Sequence, residues 1–464
     1  MSVETLFGGD PIGALLLISA VSLPITIVLS LLILHRYQRA VARSMQAAAG
    51  GAPLTETDRK AALPVEPPPL ALQATDASTR PPAPAEASAW LARTRRSAFR
   101  AAAVYALAGS AHAGIATVVL FVISGTEFLP LRTFFVWFIL IWPLVPTLFF
   151  VAGGSRRLRV IGIAAYFLVA LAISPVSLVE FAILWGTFMG VPTLLLIVVG
   201  HRRLRSVGPL VLVATFLVLI GANFAFSLGA NLALLIGAEV TLGTAFGAGI
   251  IVAAIVVAAF IALAWRTLLW IAERYRRKHT SDLMLMLDAW WLLFTLWECL
   301  DFFAAEGPPG AFVLVAFAAY KLVLALGFRL IVPKAPPDAL RLVLLRVFGF
   351  RKRSERLLDE LGHKWRYAGP VALISAPDLA TGYVEPHEFL DWLSGRVSRA
   401  FVKSESDLDA RMAKFDGEPD PDGRYRVNEF FCHADTWQTT MRRLAHESDS
   451  VLMHLLSFSR SNQG

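Results

Sequence analysis

The chain has 464 residues, of which 56% are hydrophobic and only 17% are charged, and its formal net charge is +8. Its mean hydropathy is +0.60, whereas ordinary soluble proteins carry about 25% charged residues. This composition excludes a wholly soluble, a disordered and a collagen-like protein. The two cysteines, Cys299 and Cys432, are placed by the pattern below in a membrane helix and a cytosolic segment, so we expect no disulfide framework.

Apolar stretches of about 20 residues recur along the chain, which is the length that a helix needs to cross a bilayer. They predict a mainly α, polytopic transmembrane helix bundle of about nine helices. Residues 230–238 are apolar but too short to span, so they predict a loop, a re-entrant stretch or an extension of the seventh helix. The nine predicted spans are 11–34, 101–124, 132–152, 158–175, 178–199, 207–228, 241–264, 283–304 and 310–332.

Basic residues concentrate in alternate loops of this arrangement. Lys and Arg number 10 in residues 35–100, 3 in 153–159, 3 in 200–206 and 5 in 265–282, while the opposite segments carry only Arg132. Because cytoplasmic loops are enriched in Lys and Arg, the pattern predicts an outer N-terminus and a cytoplasmic C-terminus in a bacterial inner membrane. It also accounts for the pI of 9.7, so we expect the lipid bilayer as a partner and no nucleic acid.

Four regions follow from these patterns. Residues 1–35 form an N-terminal transmembrane helix, which we prefer to a cleaved signal because Met1 to Asp10 contain no positive charge. Residues 36–98 form a cytosolic linker rich in Pro and Ala, predicted to be disordered. Residues 99–333 form an eight-helix membrane bundle, and residues 334–464 form a cytosolic α/β domain.

The ionisable residues within the last two predicted spans include Asp288, Glu298, Asp301 and Lys321. Charges inside a membrane normally face the bundle and find partners. Counted from the shared outer loop, Glu298 and Lys321 lie within reach of each other, so we expect them to form an ion pair. The pair would be either a proton or ion relay or a contact that holds two helices together. His112 has no evident metal-ligand companion and is interpreted as a satisfied histidine of the bundle.

Strand and helix patterns alternate after Pro333, which favours a doubly wound parallel α/β sheet. The predicted strands are 340–349, 370–376 and 450–459. Helices are predicted at 353–365, at 385–401, in a second stretch that follows to about Phe415, and at 435–447. Ligands bind such sheets at the carboxyl ends of the strands. The candidate anion site there comprises Gly349, Arg351, Lys352, Arg353 and Ser354. The same rim is predicted to carry Ser375, Asp378, Ser457, Ser459 and Asn462.

The segment HESDSVLMHLLSFSRSNQG, residues 446–464, resembles the middle of TIR-like and nucleoside deoxyribosyltransferase-like domains. The resemblance covers at most the last 130 residues. It implies a nucleotide-type ligand and a catalytic Glu on the next helix, but the chain stops at Gly464 without it, and His454 departs from the pattern. The resemblance therefore implies either a truncated, inactive domain or one that another chain completes.

Together the patterns predict an integral inner-membrane protein with a cytosolic domain that binds a small anionic or nucleotide ligand or a partner, in signalling or sensing. The alternative is a transporter or channel that uses the Glu298 and Lys321 pair, with a regulatory tail. We find no catalytic or metal-binding constellation in the sequence, and it indicates neither a cofactor nor an oligomeric state.

Overall fold

The computed structural model describes residues 11–48, 84–152, 156–200, 204, 207–236, 241–332, 339–346, 365–375, 392, 401–432 and 436–454. Most of these residues are helical. The long helices are α1 (Pro11–Ala48), α2 (Pro84–Ile123), α3 (Pro130–Leu140), α4 (Leu144–Ala152), α5 (Arg156–Ala172), α6 (Leu178–Trp185), α7 (Val191–Val199), α8 (Gly208–Ile236), α9 (Leu242–Arg276), α10 (Asp282–Glu306) and α11 (Leu314–Ile331). A π-helical turn, Gly186–Gly190, joins α6 to α7, and a 3₁₀ helix, Pro308–Val313, precedes α11.

Seven helical spans are long and apolar enough to cross a membrane, and the bent pair α3 and α4 makes an eighth if it counts as one span. This fits a multi-pass membrane protein. Each of the nine predicted stretches coincides with helical residues, but α5, the counterpart of the fourth, has only 17 residues. Residues 230–236 continue α8, so this part of the uncertain stretch extends the sixth predicted helix rather than the seventh.

The bend between α3 and α4 measures 48° and lies at Pro143. Proline cannot donate a backbone hydrogen bond, and a break at membrane depth leaves carbonyl groups that need other partners. The Pro143 carbonyl accepts from the Thr147 hydroxyl at 2.7 Å and from the Trp290 indole N–H at 3.1 Å. The donor on α10 therefore stabilises the bend and ties α3 and α4 to the centre of the bundle.

Helix α10 is the central helix of the bundle. In its most apolar 18 residues 72% are buried, whereas the corresponding value for α9 is 6%. Trp291 and Trp297 of α10 are completely buried, and Gly109 of α2 lies so close that an added Cβ would come within 2.9 Å of the Trp291 ring. The apolar surface that α9 exposes is of the kind that lipid covers in a membrane.

The C-terminal region, residues 339–454, contains a five-stranded, all-parallel sheet. Its strands are β1 (Leu342–Arg346), β2 (Val371–Ser375), β3 (Phe401–Val402), β4 (Val427–Cys432) and β5 (Ser450–His454), in the spatial order β3-β4-β2-β1-β5. Helices α12 (Glu405–Met412) and α13 (Trp437–His446) accompany it. The core of this sheet contains Val343, Ala372, Ile374, Phe430 and Leu444.

Three of the five strands, β1, β2 and β5, lie within predicted strand ranges, and residues 347–349, 376 and 455–459 of those ranges lie outside the described residues. The predicted helix over 385–401 does not include Phe401, which begins β3, and strand β4 was not predicted at all. The predicted helix over 353–365 lies outside the described residues except for Trp365. An apolar cluster joins Phe401 and Phe431 to Leu34, Tyr37 and Val41 of α1, so the sheet packs against the end of the first helix.

Candidate functional site

Buried ionisable side chains gather at two places in the described part of the chain. The first, called here the docking network, joins the turn between α9 and α10 to the segments that precede β2 and β4. It comprises Lys278, Ser281, Asp282, Arg366, Asp416, Asp420, Asp422 and Arg426. The second, called here the bundle cluster, comprises His112, Thr295 and Glu298 in the helix bundle.

Arg426 lies at the centre of the docking network and is only 8% exposed. Its guanidinium contacts Asp420 at 2.7 Å and donates to the carbonyl of Tyr275 at 2.6 Å and that of Thr280 at 3.2 Å. It also lies 3.6 Å from the centroid of the Tyr275 ring, which is a cation–π contact. Arg426, which directly precedes β4, therefore holds the C-terminal region to the end of α9.

Lys278 reaches from the same turn to the other side of the network. Its ammonium contacts Asp416 at 2.5 Å and donates to the Glu418 carbonyl at 2.6 Å. Its φ of 59° is the one positive φ among the described residues that are not glycine. Such a conformation costs of order 1 kcal/mol or more and persists where surrounding contacts hold it. The contacts to Asp416 and Glu418 supply that support.

The first turn of α10 is also part of the network. The Ser281 hydroxyl accepts from the Met284 N–H at 3.1 Å, as an N-cap does, and donates to Asp422 at 2.5 Å. Arg366 contacts Asp282 at 3.1 Å and donates to the Tyr425 carbonyl at 2.6 Å. The start of the central helix is thus fixed by residues of the C-terminal region.

Burial shifts the pKa of one carboxyl group in the docking network. Desolvation raises the pKa of Asp420 to about 7, because the hydrogen bond and charge of Arg426 offset only part of the penalty for burying a carboxylate. Asp420 therefore exchanges its proton near neutral pH, at the contact between the helix bundle and the C-terminal region.

The predicted ion pair between Glu298 and Lys321 is wrong, because Lys321 contacts Asp288 instead, at 2.5 Å. The reason is the 3₁₀ helix after α10, which folds back so that Gly310 packs directly against the backbone of Phe302. From Gly310, three residues of the 3₁₀ helix rise about 2.0 Å each and eight residues of α11 rise about 1.5 Å each. Lys321 therefore lies about 18 Å further down the bundle than Gly310. That depth corresponds to Asp288 rather than Glu298.

Glu298 lies instead in the bundle cluster. The residue is completely buried, its Oε2 atom is 3.9 Å from Nε2 of His112, and neither carboxyl oxygen has a hydrogen-bond partner in the described part of the chain. Asp301, one turn later, is partly buried. His112 is also completely buried, and its Nε2 atom lies 2.8 Å from the Thr295 hydroxyl. The interpretation of His112 as a satisfied histidine is therefore half right, since Nδ1 has no partner among the described residues.

The predicted anion site and most of the predicted rim lie outside the described residues. This applies to Gly349, Arg351, Lys352, Arg353 and Ser354, and to Asp378, Ser457, Ser459 and Asn462 of the predicted rim. Ser375 is the last residue of β2 and pairs in register with Phe431 of β4. Because the strands are parallel, their carboxyl ends meet at one edge of the sheet, as the prediction of a common rim requires.

Within the described ranges no group of three or more His, Cys, Asp or Glu side chains is arranged to hold a metal ion. Comparison with protein-family models, with curated proteins and with solved structures finds nothing that matches this chain.

Proposed function

We propose that this is an integral inner-membrane protein, with its C-terminus in the cytoplasm, in which a cytosolic α/β domain binds a small anionic or nucleotide ligand, or a partner, and passes the signal to the helix bundle. The docking network is the observation that carries this proposal. Its charged groups hold the start of α10 to the residues before β2 and β4. A displacement of the sheet would therefore also displace the start of the central helix. The basic turns beside the helix ends support the orientation.

The strand order supports a ligand site at the carboxyl edge of a doubly wound sheet. Strand β1 lies between β2, the next strand in the chain, and β5, the last described strand. Ligands of such sheets bind where the order reverses. Arg346 at the end of β1 pairs with His454 at the end of β5, so these two strands end side by side, and the basic residues 351–353 and Ser457 follow these ends in the sequence. The resemblance to TIR-like domains adds a nucleotide as the favoured ligand.

The experiment uses the full-length protein in detergent micelles, with inorganic phosphate, ATP and NAD as probes. We expect one of the probes to bind and to change hydrogen exchange at residues 277–285, the start of α10. A variant with Arg351, Lys352 and Arg353 changed to Gln should lose both effects. Arg442→Gln, a change of one exposed arginine on α13, is the control and should keep them. Absence of binding by all three probes, or binding without a change at α10, would contradict the proposal.

A transporter or channel is the second candidate, and the buried ionisable residues of α10 favour it. Asp288 pairs with Lys321, and Glu298 lies ten residues further along the same helix, about 15 Å away. Ionisable groups at membrane depth mark ion and proton pathways in many transporters. Proton flux into proteoliposomes that carry the protein, abolished by Glu298→Gln, would support this candidate. Equal flux in protein-free liposomes would exclude it.

A further inference from the structure

The bundle cluster is built from two helices that meet deep in the bundle. On α10, Trp291, Thr295 and Glu298 follow each other at spacings of four and three residues and so share one face. Helix α2 contributes His112, whose ring lies 5.0 Å from that of Trp291. All four residues are completely buried. Water therefore does not solvate the carboxyl group of Glu298 or the imidazole of His112.

The two hydrogen-bond partners of the Thr295 hydroxyl indicate which tautomer His112 adopts. The Thr295 hydroxyl has one hydrogen, which it donates to the Trp291 carbonyl at 2.8 Å. Its contact with Nε2 of His112, at 2.8 Å, must then use a hydrogen on the histidine. We therefore assign His112 the Nε2–H tautomer. The same Nε2 atom lies 3.9 Å from Oε2 of Glu298, beyond hydrogen-bond length.

The groups around Glu298 offer an ionised carboxylate no hydrogen bond and no positive charge in the described part of the chain. The ionisable side chains near it are His112 on α2 and Cys299 and Asp301 on α10 itself. The neighbouring helices present aromatic rings at this level: Phe216 of α8 stacks on Trp297, and Tyr320 of α11 stacks on Trp291. Lys321 is engaged by Asp288. Since an unpaired buried charge is very costly, Glu298 holds a proton in this arrangement.

We propose that His112, Thr295 and Glu298 form a proton-binding site within the membrane bundle. With the proton on Glu298, the carboxyl group is neutral and the His112 N–H donates to Thr295. When the O–H bond of Glu298 breaks and the proton leaves to solvent, the resulting carboxylate accepts the His112 N–H after a shift of about 1 Å. Proton release thus exchanges one hydrogen-bond partner of His112 for another, between α2 and α10. This site is independent of the ligand proposed for the α/β domain.

Infrared difference spectroscopy of the full-length protein in lipid nanodiscs, between acid and alkaline pH, tests the site. We expect a carboxylic acid C=O band that declines as pH rises. Glu298→Gln should abolish this band, while the matched change Asp301→Asn, one turn away and less buried, should leave it. His112→Phe removes the imidazole nitrogen that lies 3.9 Å from Oε2 of Glu298 and should move the midpoint of the band upward by at least about one pH unit.

Two results would overturn the proposal. One is a band that persists in Glu298→Gln, and the other is a Glu298 band that does not change between acid and alkaline pH, because a permanently protonated carboxyl group is only a structural contact. If Glu298→Gln does not fold, as judged by gel filtration and tryptophan fluorescence, Glu298→Asp retains a carboxyl group and should shift the band rather than abolish it. An unshifted band in that variant would assign the signal to another residue and refute the site.

Discussion

Replacement of Arg426 by Met should open the contact between the helix bundle and the C-terminal region. The change leaves the buried Asp420 carboxylate without its closest cation and removes the donor from the Tyr275 and Thr280 carbonyls. Removal of one partner from a buried ion pair costs about 3–5 kcal/mol. We expect the lower end, about 3 kcal/mol, because Lys278 remains 3.8 Å from Asp420 and because the carboxylate can take up a proton.

Hydrogen exchange measured by mass spectrometry gives the opening free energy of this contact. At pH 8, where Asp420 is largely ionised, a loss of about 3 kcal/mol lowers the protection of the peptides covering 277–285 and 418–426 by about 100-fold. The double variant Asp420→Asn with Arg426→Met should recover much of that loss, since no charge is left unpaired. Protection within threefold of the unmodified protein, or strictly additive effects of the two changes, would refute the role given to this pair.

Three further outcomes are expected. First, burial raises the pKa of Asp420 to about 7 from an unfolded value near 3.9. The contribution of its protonated form to the stability of the contact is therefore fully present below the unfolded pKa and is lost as pH rises through 7. Exchange corrected for the intrinsic rate should therefore show about tenfold less protection of residues 277–285 at pH 8 than at pH 6, and Asp420→Asn should remove this dependence. Second, Asp288→Asn and Lys321→Met should show a coupling of about 0.5–3 kcal/mol in a double-mutant cycle of unfolding in detergent, whereas additive effects would mean that the two do not interact. Third, Gly109→Ala should destabilise the bundle by about 1–3 kcal/mol in the same assay, since its Cβ would meet a buried indole ring, whereas Gly114→Ala on the same helix has open space and should be neutral or stabilising. Equal effects of the two alanines would contradict the packing argument.

The helices and the apolar strands are predictable from the sequence because their signals are local. Runs of apolar residues locate the spans, and β1, β2 and β5 are recognisable by the same means. Strand β4 escapes prediction because its sequence, VNEFFC, has the polar residues Asn428 and Glu429 in second and third place, and the fold buries both. Asn428 is satisfied by the backbone of Asp416, which donates to and accepts from its amide. A strand that depends on a distant loop for its hydrogen bonds gives no periodic apolar pattern.

The partners of the ionisable residues could not be predicted for a different reason. The sequence gives the depth of a residue along its own helix, but which residue faces it depends on how each helix is rotated and shifted. Lys321 shows this, since Gly310 packs level with Phe302 and Lys321 then reaches Asp288 rather than Glu298. The distance of 3.9 Å between His112 and Glu298 joins residues 186 positions apart, so it follows only from the packing of α2 on α10.

The double role of Ser281 has a consequence for the order of assembly. The same hydroxyl caps α10 and binds Asp422, which lies 141 positions later in the chain. During synthesis the apolar body of α10 enters the membrane long before Asp422 exists. The cap itself is local and needs only Met284, but the buried Ser281 hydroxyl has no Asp422 acceptor for its hydrogen until the C-terminal region has been made and has folded onto the helix. The polar contacts at the start of the central helix are thus completed last, when Asp422 and Arg366 reach Ser281 and Asp282.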